Sequence, residues 1–182
     1  LLILVSLTIL ASFVSTHYPV RGSIFTASSP CYKSVEVEFR MNQDRTVLVE
    51  ENYILYLPKR LGGLTVEHLI PSGSVENIEV KSEAGKVSWE KRAENDGTCL
   101  SIKIDFPSGY VGDLRYSVSY LAGGLVSGSG PRYEARLGGV QLGAESYPYE
   151  EYTVRVQGPL GSRVFYYEPS EVEVSDTEPP TL

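Results

Sequence analysis

The sequence predicts an all-β protein: an antiparallel β-sandwich of about eight to ten strands, immunoglobulin-like in general architecture. Three observations carry this. Apolar and polar residues alternate with a period of two through most of the chain from Ser34 onward. Gly, Pro, Asn and Asp clusters interrupt the alternation at roughly 8–12-residue spacing. No window carries the 3.6-residue periodicity of an amphipathic helix.

The first strand is the clearest. Val35, Val37, Phe39 and Met41 alternate with Glu36, Glu38 and Arg40, and Asn42-Gln43-Asp44-Arg45 turns the chain. Thr46 to Leu57 follows, with Val47, Val49, Tyr53, Leu55 and Leu57 on one face. Glu51 falls on that same face, so a bulge near Glu50-Glu51 is expected to turn it outward. Pro58 to Gly63 ends the strand, and Leu64, Val66 and Ile70 mark the next. Val75 to Lys81 and Lys86 to Lys91 flank the turn Ser82-Glu83-Ala84-Gly85. Asn95-Asp96-Gly97 is the strongest hairpin signal, because its central residues favour positive φ. Leu100, Ile102, Ile104 and Phe106 mark the returning strand, in whose register Cys99 faces away from the apolar set. Pro107 to Asp113 reads as a turn, and Tyr116, Val118 and Tyr120 as the strand beyond it. The later strands, Tyr133 to Leu137, Tyr149 to Gln157, Arg163 to Tyr167 and Glu171 to Ser175, are less sharply marked.

The domain organisation follows. Residues 1–23 read as a signal peptide or N-terminal anchor, 24–33 as a leader, 34–175 as the sandwich, and 176–182 as a Pro-rich linker or tail. A division into two small β-domains near 124–130 is the alternative. The opening run LLILVSLTILASFVST has no charge, Gly or Pro, which suits the h-region of an export signal. As a helix, Leu1 to Val14 would reach about 21 Å against a hydrocarbon core of about 30 Å, short for a membrane span. A retained anchor and a core element are the other readings of this run.

The chain has 16 Lys and Arg against 23 Asp and Glu, a net charge of −7. Loss of residues 1–23 removes one cation, Arg21, and no acid, giving −8. Such a balance disfavours nucleic acid and anionic lipid surfaces, which attract basic patches. Two cysteines, Cys31 and Cys99, read as one disulfide in an exported chain, stabilising by roughly 4 kcal/mol through the loop they would close. Two unrelated buried thiols are the alternative.

Candidate chemistry is sparse. His68 is the one histidine after Ser34 and sits in phase with Leu64, Val66 and Ile70, the place of a core residue rather than a base. Neither a zinc cluster nor a phosphate loop is present at sequence level. Asn42, Asp44, Asn95 and Asp96 are weak calcium candidates, being hard oxygens that turns also select. Glu50 with Glu51, Glu150 with Glu151, and Asp96 with Asp105 are the carboxylate pairs that glycoside hydrolysis would need. Tyrosine is abundant, at 13 residues. Tyr147, Tyr149, Tyr152, Tyr166 and Tyr167 form a candidate interaction surface, with sheet packing as the alternative.

The runs VEVEFRMNQDRTVLVEENYILYLP, VENIEVKSEAGKVSW and GDLRYSVSYLAGGLV resemble the extracytoplasmic N-terminal β-sandwich of uncharacterised prokaryotic membrane proteins. That family builds on V-x-V-x-x-D-G-x-V-x-V-x-E, I-x-x-V-x-V and Y-x-V-x-Y. Asp44, Val47, Val49 and Glu51 fit the first pattern, with Arg45 in place of the turn glycine; Val75, Ile78 and Val80 fit the second, and Tyr116, Val118 and Tyr120 the third. A similar logic appears in the luminal part of the ribophorin-type subunit of oligosaccharyltransferase. The resemblance covers about Ser34 to Val126 and implies export and membrane tethering, with no reaction and no cofactor.

The expected function is therefore a non-enzymatic exported or cell-surface domain acting by protein or glycan contacts, the ectodomain of an envelope protein. One alternative is a subunit of an extracellular filament or surface layer, self-associating by N-terminal strand addition. Another is a secreted carbohydrate-binding module or carbohydrate-active enzyme. Contact with a membrane is expected only through the N-terminal segment or an anchor beyond Leu182.

Overall fold

The computed structural model describes side chains for residues 29–70, 74–94, 97–127, 147 and 149–158, and strand placement alone for 2–8, 13–19, 132–138, 141–142 and 163–166. Within these residues there are twelve strands and no helix. In chain order they are β1 (Leu2–Thr8), β2 (Phe13–Pro19), β3 (Cys31–Met41), β4 (Val47–Ile70), β5 (Ser74–Ser82) and β6 (Lys86–Glu94). Then follow β7 (Gly97–Gly123), β8 (Val126–Ser127), β9 (Arg132–Gly138), β10 (Gln141–Leu142), β11 (Glu151–Gln157) and β12 (Arg163–Tyr166).

The fold is a β-sandwich whose two layers are joined by two strands that belong to both. β4 and β7 pair antiparallel along most of their length, from Val47↔Ala122 to Ile70↔Thr98. The register slips between Leu57 and Gly63, where Pro58 and two glycines lie on one strand and Pro107 to Gly112 on the other. There the ribbon bends and folds over on itself, a known way for a strand to change sheets. The first layer runs β2-β11-β3, then the early half of β4, the late half of β7, and β5. The second layer runs β10, the late half of β4, the early half of β7, and β6. A separate four-stranded sheet has the order β12-β1-β9-β8.

The alternation read from the sequence sets the core. Val35, Val37 and Phe39 of β3, Val49, Tyr53 and Leu55 of β4, and Leu114, Tyr116 and Val118 of β7 point inward from the first layer. Leu64 and Val66 of β4 and Leu100, Ile102 and Ile104 of β7 point inward from the second. Burial of so many large side chains, each worth about 1.5–3 kcal/mol, is what holds the layers together.

Several expectations change. The strand end expected at Pro58–Gly63 and the turn expected at Pro107–Asp113 are bends within continuous strands, because Pro and Gly interrupt the pleat without dictating a chain reversal. The sandwich is not wholly antiparallel: β11 lies parallel to β3, with Tyr152↔Val35 through Gln157↔Arg40. The apolar opening, considered above as a helix, contributes β1 and β2; a run of Leu, Ile and Val is readable either way from periodicity alone. No helix among the described residues is long and apolar enough to cross a membrane. Residues 21–28 and 167–182 lie outside the described residues, as does the expected strand Glu171 to Ser175.

Candidate functional site

The ionisable side chains that could carry chemistry meet inside the sandwich. Glu51 is not turned outward. Its register is unbroken on both sides, with Val37 on β3 and Val118 on β7, so no bulge forms and the carboxylate enters the core. It is 2% exposed, and His68, from the facing layer, is 1% exposed.

Buried polar groups of this kind survive only with hydrogen bonds to replace water. Tyr53 donates its hydroxyl proton to Glu51 Oε2 at 2.7 Å, and Tyr120 donates to Oε1 at 2.8 Å. His68 Nδ1 lies 3.0 Å from Oε2 and 3.3 Å from the Tyr53 hydroxyl. Since the one proton of Tyr53 goes to Glu51, Nδ1 carries the ring hydrogen and donates. Nε2 is buried and has no partner among the described residues. The network extends through stacked rings: Tyr53 and Tyr116 lie 4.6 Å apart at 10°, and Tyr116 and Tyr32 share a 2.9 Å hydroxyl–hydroxyl hydrogen bond. Burial holds the Tyr53, Tyr116 and Tyr120 hydroxyls well above the ordinary tyrosine range, reinforced at Tyr53 and Tyr120 by Glu51 and at Tyr116 by Tyr32. Burial likewise raises Tyr32, offset in part by its bond to Tyr116.

A carboxylate, an imidazole and a hydroxyl in mutual contact are the parts of a hydrolytic centre. Here all three are sealed from solvent. What the arrangement does is fix the spacing and register of the two layers, since each donor has one acceptor placed to receive it.

The other candidates separate. Asp44 Oδ1 accepts from the Thr46 amide at 3.0 Å and its hydroxyl at 2.7 Å, and Asn42 Nδ2 donates to Thr46 Oγ1 at 2.9 Å. These two residues close the β3–β4 turn, while Asn95 and Asp96 lie outside the described residues. Among the described residues, no group of three or more His, Cys, Asp or Glu is arranged to hold a metal ion.

Cys31 and Cys99 are free thiols, so the expected disulfide is not formed. They sit opposite different parts of β4, Cys31 across from Tyr56 and Cys99 across from Leu69. Each has its own partner: Cys31 Sγ lies 3.9 Å from Glu150 Oε1, and Arg92 Nη2 donates to Cys99 Sγ at 3.5 Å. Cys99 faces away from the apolar set as expected, yet is buried.

Of the candidate tyrosines, Tyr152 is buried with its ring 5.5 Å from that of the exposed Tyr149, and Tyr147 packs on Tyr32 at 6.2 Å. The side chains of Tyr166 and Tyr167 lie outside the described residues. One carboxylate pair is split, Glu50 pointing outward to Arg40 at 2.8 Å while Glu51 points inward; Asp105 pairs with Lys103 at 3.1 Å, and Asp96 lies outside the described residues.

The open feature is on the outer face of the first layer. Short polar side chains, Ser34, Asn52 and Ser117, line a groove of ≈ 480 Å³ together with Ile54. Glu36, Lys81, Glu83 and Arg115 also line it. Arg115 lies 3.5 Å from Glu83, Lys81 2.9 Å from Glu79, and Arg155 3.4 Å from Glu36. Such exposed pairs contribute little stability and exchange readily for intermolecular partners. The groove was not anticipated from sequence, because most of its residues belong to the polar half of each alternation. The available signal was the row of short polar residues between long charged ones.

No family model matches the chain, and no curated protein matches it. Among solved structures, a non-cellulosomal cohesin from the hyperthermophilic archaeon Archaeoglobus fulgidus is similar at 12% identity and a TM-score of 0.39. That likeness spans 72% of this chain and 91% of the cohesin chain.

Proposed function

We propose that this chain is a non-catalytic recognition domain of an exported or cell-surface protein, and that it binds a protein partner at the outer face of the first layer. The groove lined by Ser34, Asn52 and Ser117 carries the reading. Among the described residues it is a place where polar and charged groups converge in reach of a partner, whereas Glu51 and His68 are sealed inside. The alternating charges Glu36, Arg115, Glu83 and Lys81 suit a polar protein surface. Among the described tyrosines, Tyr152 is buried and Tyr147 packs on Tyr32, which favours a protein over a glycan as the partner. The uncharged opening run and the net negative charge support export.

The test combines capture with reversal of charge. The chain and its Lys81→Glu/Arg115→Glu variant are immobilised against extracts of the source cells, and a protein retained by the former is purified for titration. At least a tenfold loss of affinity in the variant is expected, about 1.4 kcal/mol. A partner bound equally by both, or hydrolase activity lost on His68→Gln in a folded protein, would overturn the proposal. Fractionation of the full-length protein tests export, with recovery in the cytosol as the contrary result.

A further inference from the structure

We propose that the outer edge of β6 is a self-association surface, at which a second copy of this chain adds its own β6 antiparallel to make a sheet continuous across the pair. This surface belongs to the second layer and is independent of the groove.

β6 pairs with β7 on one side through nine unbroken positions, Lys86↔Asp105 to Glu94↔Gly97. Among the described residues no strand lies along its other edge. Every side chain of β6 is exposed except the half-buried Val87. Trp89, the one tryptophan of the chain, is 41% exposed. An unbroken edge of this length presents a row of unpaired N–H and C=O groups, the template for strand addition. The first layer's edge at β5 is different: its register breaks between Glu76 and Glu79, and Asn77 has φ 53°, a bulge that twists an edge away from pairing.

The sequence of β6 identifies the occupant. Two antiparallel copies related by a twofold axis must pair one residue with itself, because paired residues share a face. The register that overlaps the whole strand puts Glu90 on the axis. Lys86 then faces Glu94 of the second copy, Val87 faces Ala93, and Trp89 faces Lys91, each contact made twice. These are an ion pair, an apolar pair and a cation–π pair, all stabilising in cross-strand positions. Lys91 is already held in place, its Nζ donating to Val75 O at 2.9 Å. The five charges of β6 guard the edge against most strands, yet in this register Lys86 and Glu94 pair and Lys91 meets Trp89. One contact opposes the rest: Glu90 against Glu90, with Arg92 of each copy on the diagonal.

That contact gives the test. The intact 182-residue chain is studied by sedimentation equilibrium and by tryptophan emission over a concentration series. A monomer–dimer equilibrium is expected, with Trp89 emission shifting to the blue and losing iodide quenching as dimer forms. Glu90→Gln removes the like-charge contact and is expected to tighten the dimer roughly two- to fivefold. Trp89→Lys sets two cations opposite each other and is expected to return the protein to monomer, with far-UV circular dichroism unchanged. A chain that stays monomeric at millimolar concentration with Glu90→Gln in place would overturn the proposal. So would a dimer whose Trp89 emission does not change with concentration. Should Trp89→Lys not fold, the Glu90→Gln titration decides alone.

Discussion

Replacing Glu51 by Ala strands three donors at once: the Tyr53 and Tyr120 hydroxyls at 2.7 and 2.8 Å, and His68 Nδ1 at 3.0 Å. A buried donor left without an acceptor costs about 1–3 kcal/mol, and the vacated volume adds to this. The three share one acceptor group and are not additive, so a total of about 4–6 kcal/mol is expected. Glu50→Ala is the internal control. Glu50 points outward to Arg40, with a side chain 38% exposed, and its loss is expected to change stability by no more than about 0.5 kcal/mol. Urea unfolding at neutral pH reads both. A shift of midpoint at constant m reports stability alone. A cost below about 1 kcal/mol for Glu51→Ala, or a larger cost for Glu50→Ala, would refute the reasoning. Either would mean that the strand carries the bulge that its sequence suggests.

Other outcomes follow from the same structure. Tyr32, Tyr53, Tyr116 and Tyr120 are all held above the ordinary tyrosine range, chiefly by burial. Their contribution is complete below an unfolded-state pKa of about 10 and lost as pH rises above it, at about 1.4 kcal/mol per unit for each. Urea midpoints should therefore fall steeply above about pH 10, with tyrosinate absorbance appearing together with unfolding; exposed tyrosines would ionise first, with the fold intact. Gly85 has φ +82°, and an added Cβ would lie 2.6 Å from Asp105 O, so Gly85→Ala is expected to lower stability by about 1–3 kcal/mol in thermal melts. Arg45 shows the converse, standing at φ 69° in the β3–β4 turn, so Arg45→Gly is expected to raise stability by about 1 kcal/mol. Cys31 and Cys99 should react with a thiol reagent only after unfolding, and a reductant should leave the melting temperature unchanged. Burial, and next the charge of Glu150, raises the Cys31 thiol and disfavours its reactive thiolate.

Much of the fold is legible in the alternation. Val35 to Met41, Leu100 to Phe106 and Tyr116 to Tyr120 bury the face that their period assigns. The bends at Pro58–Gly63 and Pro107–Gly112 were not, since local signals report where the pleat breaks and not where the chain goes next. The pairing of β11 parallel to β3 is long-range and leaves no local mark. Arg45 illustrates a signal that could be read: it occupies the glycine position of the turn pattern, and that position has positive φ. The polar cluster was hidden for a physical reason. Glu51 and His68 each look anomalous alone on an apolar strand face, and only the folding of β4 onto itself brings the two together. The groove was hidden because charges on outward positions are the ordinary state of a strand.

The central claim is that β4 turns back on itself, so that Tyr53 and Glu51 in one layer face His68 in the other. Nuclear Overhauser contacts between the His68 imidazole and the Tyr53 and Tyr116 rings test it most directly. With ring centroids 5.2 and 6.3 Å apart, edge protons of both pairs should give cross-peaks. A His68 ring with contacts only to β10 and the early half of β7, and none to either tyrosine, would contradict the sandwich and the buried site alike.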